Sequence, residues 1–267
     1  LFQWAGSGAL RIRLAPLAII GEALKFKEPG MAAAPRRPKT PLRLHRLARP
    51  LIWLAGTFLL VTILQVAVLR FVNPPVTVSV IWDFTRQRIK AKPYRPPAFV
   101  WQPIEKISPH LRRAALAAED QRFAEHHGFD LVEIRKAAKD ILREQRIRGA
   151  STISMQTART VYLLPVRSIP RKALEAYYTA LIELFWGKRR ILEMYLNTVD
   201  WGAGVMGAEA ASQRYFNISS ARLNPRQAAL LVAVLPNPHR LSPLRPDSYV
   251  QGRVRRILAD MQLMPLL

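Results

Sequence analysis

AAEDQRFAEHHGFD, residues Ala117 to Asp130, is the stretch on which the reading of this 267-residue chain turns. Just upstream, Ser108-Pro109 predicts a helix start: a side-chain cap, then a proline whose missing N–H costs nothing in the first turn. The helix continues through LRRAALAAED, where Leu111, Ala115 and Ala118 recur at helical spacing on a face for the core. The same period brings Glu119, Phe123 and His126 to one side of a continuing helix, and Gly128 supplies the stop. A carboxylate at the end of an alanine-rich, buried helix is partly desolvated. Burial raises its pKa and suits it to proton transfer near neutral pH. The plain alternative is that Glu119 and Asp120 are solvated and His126 is a satisfied core histidine.

Working outward, 50% hydrophobic content in 267 residues can build one sizeable domain plus an anchor. The net charge of +23 calls for a polyanionic partner, a requirement met by nucleic acid, an anionic membrane surface or a phosphorylated substrate. With no cysteine, the chain has no disulfide framework, thiolate metal site or cysteine nucleophile.

Residues 1–50 read as a basic cytoplasmic tail. The first methionine is Met31, so residues 1–30 are expected to be foreign to the native chain; a genuine presequence is the alternative. Between Met31 and Pro50, Arg36, Arg37, Lys39, Arg43, Arg46 and Arg49 stand with no acid among them. Leu51 to Leu69, LIWLAGTFLLVTILQVAVL, is uncharged. At about 1.5 Å per residue it reaches roughly 28 Å, enough to cross a hydrocarbon core about 30 Å thick. A transmembrane helix over 51–72 is therefore expected, and no small-residue cleavage site follows it. The basic flank puts the N-terminus in the cytoplasm and the rest of the chain outside it. Residues 73–107, rich in proline, read as a stalk leading to the domain, with Val76 to Val80 as a short strand. From 108 to 267 the pattern is almost wholly helical. Asp130 with Glu133 predicts a capping box, with Leu131, Ile134, Ala138, Ile141 and Leu142 as the inner stripe. Ser151, Ser168, Asn224 and Asp247 read as further caps.

Three more blocks carry charge. In GASTISMQTART (149–160), Ser151 and Thr152 offer hydroxyls and free N–H groups at a helix start, either as an ordinary cap or to an anion. Arg167, Arg171 and Lys172 gather at the start of the helix RKALEAYYTALIE, where a pyrophosphate would bind well. Glu175 can pair with Arg171 one turn away, and Glu183 falls near the same face. In KRRILEMYLN (188–197), Arg189 and Arg190 read as a solvated face.

Together, EDQRFAEHHG (119–128), GASTISMQ (149–156), RKALEAYYTALIE (171–183), KRRILEMYLN (188–197) and RVRRILADM (253–261) resemble, in order and spacing, the five motifs of the peptidoglycan glycosyltransferase family. The match looks most like its monofunctional biosynthetic transglycosylases, since no serine is followed three residues later by lysine as a transpeptidase would require. The resemblance implies a mainly α, lysozyme-like glycosyltransferase domain preceded by a single transmembrane helix. It implies polymerisation of lipid II, with Glu119 as the base and Glu175 as a second catalytic glutamate near the donor pyrophosphate. A divalent metal (Mg or Mn) held by Glu175 is one option it carries; no organic cofactor is implied. By the same resemblance, Asp120, Phe123, His126, Gly128, Ser151, Thr152, Gln156, Arg159, Arg167, Arg171, Lys172, Glu183, Lys188 and Asn197 form the substrate site. Lipid II, lipid-linked glycan, the membrane and other cell-wall synthesis or division proteins are the implied partners, and nucleic acid is not. Met155-Gln156 and Arg159-Thr160 depart from the family's usual Gln-Gln and Lys-Asn. The rival readings are a lysozyme-like glycan-cleaving enzyme and a membrane-tethered basic binding protein.

Overall fold

The computed structural model describes residues 44–90, 96–144, 149–166, 168–202 and 204–267. The expectations for residues 1–43 and for Arg167 lie outside these. Residues 49–267 form one compact unit.

Its first helix, α1 (Leu44–Leu69), holds the long apolar run, and Arg49–Leu69 is long and apolar enough to cross a membrane. The side chains from Leu51 to Leu60 are exposed, as a lipid-facing surface would be. The last turns are not free. Thr62 and Val66 are buried, Thr62 Oγ1 lies 2.6 Å from the Tyr177 hydroxyl, and Trp186 Nε1 donates to the Val66 carbonyl at 2.8 Å. Arg190, expected in solvent, instead donates to the carbonyls of Leu69 and Val72, each at 3.0 Å. There it caps α1, where orphan carbonyls and the negative end of the helix dipole favour a cation.

The predicted stalk is a second correction. Val76 to Val80 is not a strand: α2 spans Val78–Ile89 and packs on α5. Nor does the domain begin at 108. Ala98–Phe99 (β1) pairs in parallel with Val205–Met206 (β2), and Ile104 and Ile107 are fully buried in the core. Apolar side chains spaced between the prolines give this segment enough to bury, so it joins the fold.

The remaining helices are α3 (Pro109–Glu119), α4 (Leu131–Glu144), α5 (Ile153–Tyr162), α6 (Ile169–Phe185), α7 (Lys188–Thr198), α8 (Ala208–Phe216), α9 (Pro225–Ala233) and α10 (Ser248–Asp260). Helix α3 packs on α9 and α10, while α5 packs on α6 and α7. The domain is mainly α, as the sequence implies. Ser108 accepts from the His110 amide at 3.2 Å and donates to the Leu223 carbonyl at 2.8 Å, fixing the start of α3 to the core. Leu111, Ala115 and Leu116 are buried, each large apolar side chain contributing about 1.5–3 kcal/mol by leaving water. Ser168, Asn224 and Asp247 cap their helices as expected, with a full capping box at Asn224 and Gln227. At α5 the cap is Thr152, not Ser151. The α4 stripe is also corrected. Leu131, Ile134 and Ala138 are exposed and the neighbouring Ala137 is buried, while the side chains of Ile141 and Leu142 lie outside the described residues. Asp130 accepts from the Val132 and Glu133 amides at 2.9 and 3.0 Å, while the Glu133 carboxylate takes Lys136 at 2.8 Å.

Candidate active site

Glu119 is the last residue of α3, and the chain turns away at once, so the helix does not continue to Phe123 and His126. The extended Asp120 (φ −163°) ends it. What the sequence expected one helical face to do is done instead by a compact turn.

That turn is locked by a polar network. The Gly128 amide donates to His126 Nδ1 at 3.1 Å, which leaves the ring proton on Nε2. Nε2 then donates to the Asp120 carboxylate at 2.9 Å. Asp120 also accepts from the Ile153 amide at 2.9 Å, and Thr152 Oγ1 donates to the Gly128 carbonyl at 2.6 Å. Asp120 and His126 are buried, so the loop after α3 is tied to the first turn of α5 by bonds shielded from water. Gly128 has φ +89°, and a Cβ there would stand 2.8 Å from Thr179 Cγ2, so glycine is required. Phe123 lies beneath, its ring 4.5 Å from Lys188 Nζ. Lys188 and Ser154 both bond Glu183, the former at 2.8 Å. Asp120, His126, Gly128, Thr152, Glu183 and Lys188 are thus brought together as the scaffold that sets α5 against α3.

The result is the position of Gln156, one turn into α5, whose Nε2 donates to Glu119 Oε2 at 3.1 Å. On the other side Arg253 approaches Glu119 Oε1 at 3.5 Å while its Nε donates to the Ala233 carbonyl. The Glu119 side chain is 16% exposed. Burial pushes its pKa above the ordinary value; the Gln156 bond and the charges of Arg253 and Arg159 pull the other way without cancelling it, and Asp120 adds to the rise. Glu119 and Gln156 line different clefts. One, of about 620 Å³, is lined by Glu119, Asp120, Thr152, Arg253 and Arg256; the other, of about 520 Å³, by Gln156, Arg159, Tyr195 and the α2 residues Trp82 and Arg86. Tyr195 is buried, and its hydroxyl has no partner among the described residues. Burial first, and Glu119 next, hold that phenol far above its usual pKa, so it keeps its proton.

Glu175 stands in a different setting. It is fully buried, with one oxygen on Arg171 Nη1 at 2.6 Å and the other on Lys172 Nζ. It lines neither cleft. One carboxylate already clamped by two cations does not fit a divalent metal, and among the described residues no cluster of three or more His, Asp or Glu side chains gathers elsewhere. Asn197 also departs from a substrate-binding role. Fully buried, it accepts from the Gln102 amide and donates to the Gln102 carbonyl, both at 2.8 Å, and so pins the lead-in segment to α7. Ser151 is half-buried beside Thr152. Arg253 and Tyr195 were missed as site residues. Their signal was present, since both lie inside quoted motif blocks, but spacing alone does not say which side chain of a block faces a carboxylate.

A carboxyl group whose pKa burial raises, with cations close by, is compatible with glycosyl transfer. The family model described as "Transglycosylase" matches residues 87–262, and the chain belongs to that family. Similar proteins, each named biosynthetic peptidoglycan transglycosylase, occur in Caulobacter vibrioides and Aeromonas hydrophila. The first is 45% identical over 216 residues, covering 81% of this chain and 89% of the relative. The second is 47% identical over 227 residues, covering 83% and 93%. A third, from Bdellovibrio bacteriovorus, reaches 55% over 158 residues, covering 59% and 63%. Transglycosylation is the activity of the family to which the chain belongs.

Proposed function

We propose that the enzyme extends glycan strands by transferring a lipid-linked growing chain to the 4-hydroxyl of lipid II. The reading rests on Glu119, a carboxylate with a raised pKa, held by Gln156 and opening on a cleft. Glu119 takes the proton of the acceptor hydroxyl as its oxygen forms a bond to the anomeric carbon. The bond from that carbon to the pyrophosphate oxygen breaks, and the electron pair leaves on undecaprenyl pyrophosphate. Attack opposite the leaving group inverts the centre and gives a β-1,4 linkage. The growing negative charge is met by side-chain cations. Arg159 stands at the second cleft, and Arg171 and Lys172 are held at the start of α6 by Glu175. No step is assigned to a metal.

The apolar α1 anchors the domain as a single pass in the inner membrane. The basic flank before it supports an N-terminus in the cytoplasm and a catalytic domain on the outer side, where the substrate's polar head is presented. Other cell-wall synthesis proteins are the natural partners of such a site.

Labelled lipid II incubated with the solubilised full chain tests this. Polymer formed by the wild type and lost in Glu119→Gln is expected; shortening of preformed glycan would make the enzyme a hydrolase, and neither activity would remove the assignment. Arg171 and Lys172 changed together to Ala should weaken inhibition by a pyrophosphate-bearing substrate mimic, and unchanged inhibition would count against their role.

A further inference from the structure

A polar seam runs down one face of the last turns of α1. Thr62 Oγ1 meets the Tyr177 hydroxyl at 2.6 Å, and Gln65 Oε1 accepts from the Tyr178 hydroxyl at 3.3 Å. The Val66 carbonyl accepts from Trp186 Nε1 at 2.8 Å, and the Leu69 carbonyl from Arg190 Nη2 at 3.0 Å. Positions 62, 65, 66 and 69 share a face at helical period. The first three contacts tie α1 to α6 and its end; the fourth differs in kind. Arg190 belongs to α7, and its guanidinium also reaches past the helix end, Nη2 to the Val72 carbonyl at 3.0 Å and Nη1 to Asn73 Oδ1 at 2.9 Å. Glu193 at 3.2 Å and the Trp101 ring, centred 5.4 Å away, hold the same group against the domain. Pro74-Pro75 follow at once.

We propose that Arg190 is a positioning residue that sets the angle at which the catalytic domain stands on the membrane, and through it how Glu119 meets a membrane-confined substrate. The inference rests on the reading of the substrate as lipid-linked. Three observations carry it. Only 14% of the Arg190 side chain is exposed, so its bonds are shielded from water. They fall on both sides of the α1 end, so one planar fork removes the hinge that residues 70–73 would otherwise supply. Helix α7 packs on α5, which brings Gln156 to Glu119, so the element that grips the anchor adjoins the one that holds the carboxyl. A substrate confined to a plane has a fixed height, and a displacement of about 1 Å at the reacting atoms costs up to about 10²-fold in rate. A detergent micelle bends around the protein and imposes no such plane.

The test reads polymerisation of lipid II by the full chain in phospholipid vesicles and in detergent micelles. Arg190→Gln should lower kcat/KM in vesicles about tenfold, through KM rather than kcat, and change it less than about twofold in micelles. Arg190→Lys keeps a cation at the α1 carbonyls without the fork and should recover part of the loss. Asn73→Ala removes one arm of the clamp and should show a smaller fall, again confined to vesicles. Arg189→Gln, in an exposed pair with Glu105, should match the wild type in both settings. A second readout is independent of activity. The chain has no cysteine, so Leu263→Cys, at an exposed position, carries a single dye whose energy transfer to labelled vesicle lipid reports its height above the bilayer. Arg190→Gln should broaden the range of heights. An equal loss in vesicles and micelles would leave Arg190 a structural residue only; an unchanged kcat/KM in vesicles, or an unchanged range of heights, would likewise overturn the proposal. If the wild type polymerises lipid II in neither setting, the proposed function fails, and the height measurement still decides whether Arg190 sets the pose.

Discussion

Glu119 and Glu175 are the same residue type at two helical positions, and their surroundings make them chemically opposite. Glu119 ends α3, keeps 16% of its side chain exposed, and is held by a neutral amide at 3.1 Å with its nearest cation at 3.5 Å. Glu175 sits nearly two turns inside α6, is fully buried, and has a cation on each oxygen. Burial raises the pKa of Glu119 against the pull of Gln156 and Arg253, whereas both Glu175 oxygens are taken up by ion pairs. The contrast is what favours Glu119 over Glu175 as the base in the proposed reaction, and it leaves Glu175 paired with Arg171 and Lys172.

The sharpest way to break this contrast is Glu119→Gln. Turnover should fall by at least about 10²-fold with substrate binding retained, the scale of losing a general base. Single-turnover polymerisation beside a binding titration checks it, and wild-type rates would end the assignment. Next in size, Glu175→Ala leaves Arg171 and Lys172 without their shared anchor. Stability should fall by about 1–3 kcal/mol, read as a lower thermal midpoint of the domain, and KM should rise more than kcat falls. An equal fall in kcat with KM unchanged would move Glu175 into the chemistry itself.

A smaller effect tests the cause of Glu119's raised pKa. Its folded value lies above the unfolded one, so the carboxyl favours folding at low pH, and that contribution is lost as pH rises through the folded value. Above that window Glu119→Gln should be more stable than the wild type by on the order of 1 kcal/mol, with the difference shrinking at acid pH. Denaturant unfolding at several pH values decides it. The smallest effect belongs to Gln156→Leu. Removing a donor to the carboxylate lets the pKa rise further, so the acid limb of kcat/KM moves to higher pH while the plateau changes only a few-fold. An acid limb that stays in place would show that another group sets it.

Against this contrast, the sequence was legible wherever the signal was local. The cap at Ser108, the alanine-rich face of α3 and the apolar run of α1 follow from spacing and composition, and the structure keeps all three. The Arg171–Glu175 pair at i,i+4 was legible for the same reason. Errors came where a distant element decided. Val76 to Val80 alternates like a strand, yet it forms a helix start because α5 lies beside it. Arg190 reads as solvated until the end of α1 supplies carbonyls for it. Leu131 and Ile134 read as core, yet both side chains are exposed.

The sequence by itself determined that a glutamate would end a buried helix, that cations would gather at the start of another, and that a long apolar helix would precede both. These are properties of neighbouring residues, governed by helical period and by the cost of dehydrating charge. Only the tertiary structure decided which glutamate keeps an open approach. Exposure, the Gln156 bond and the nearness of Arg253 depend on how α3, α5 and α10 pack, and no spacing within one segment specifies what a fold brings against it.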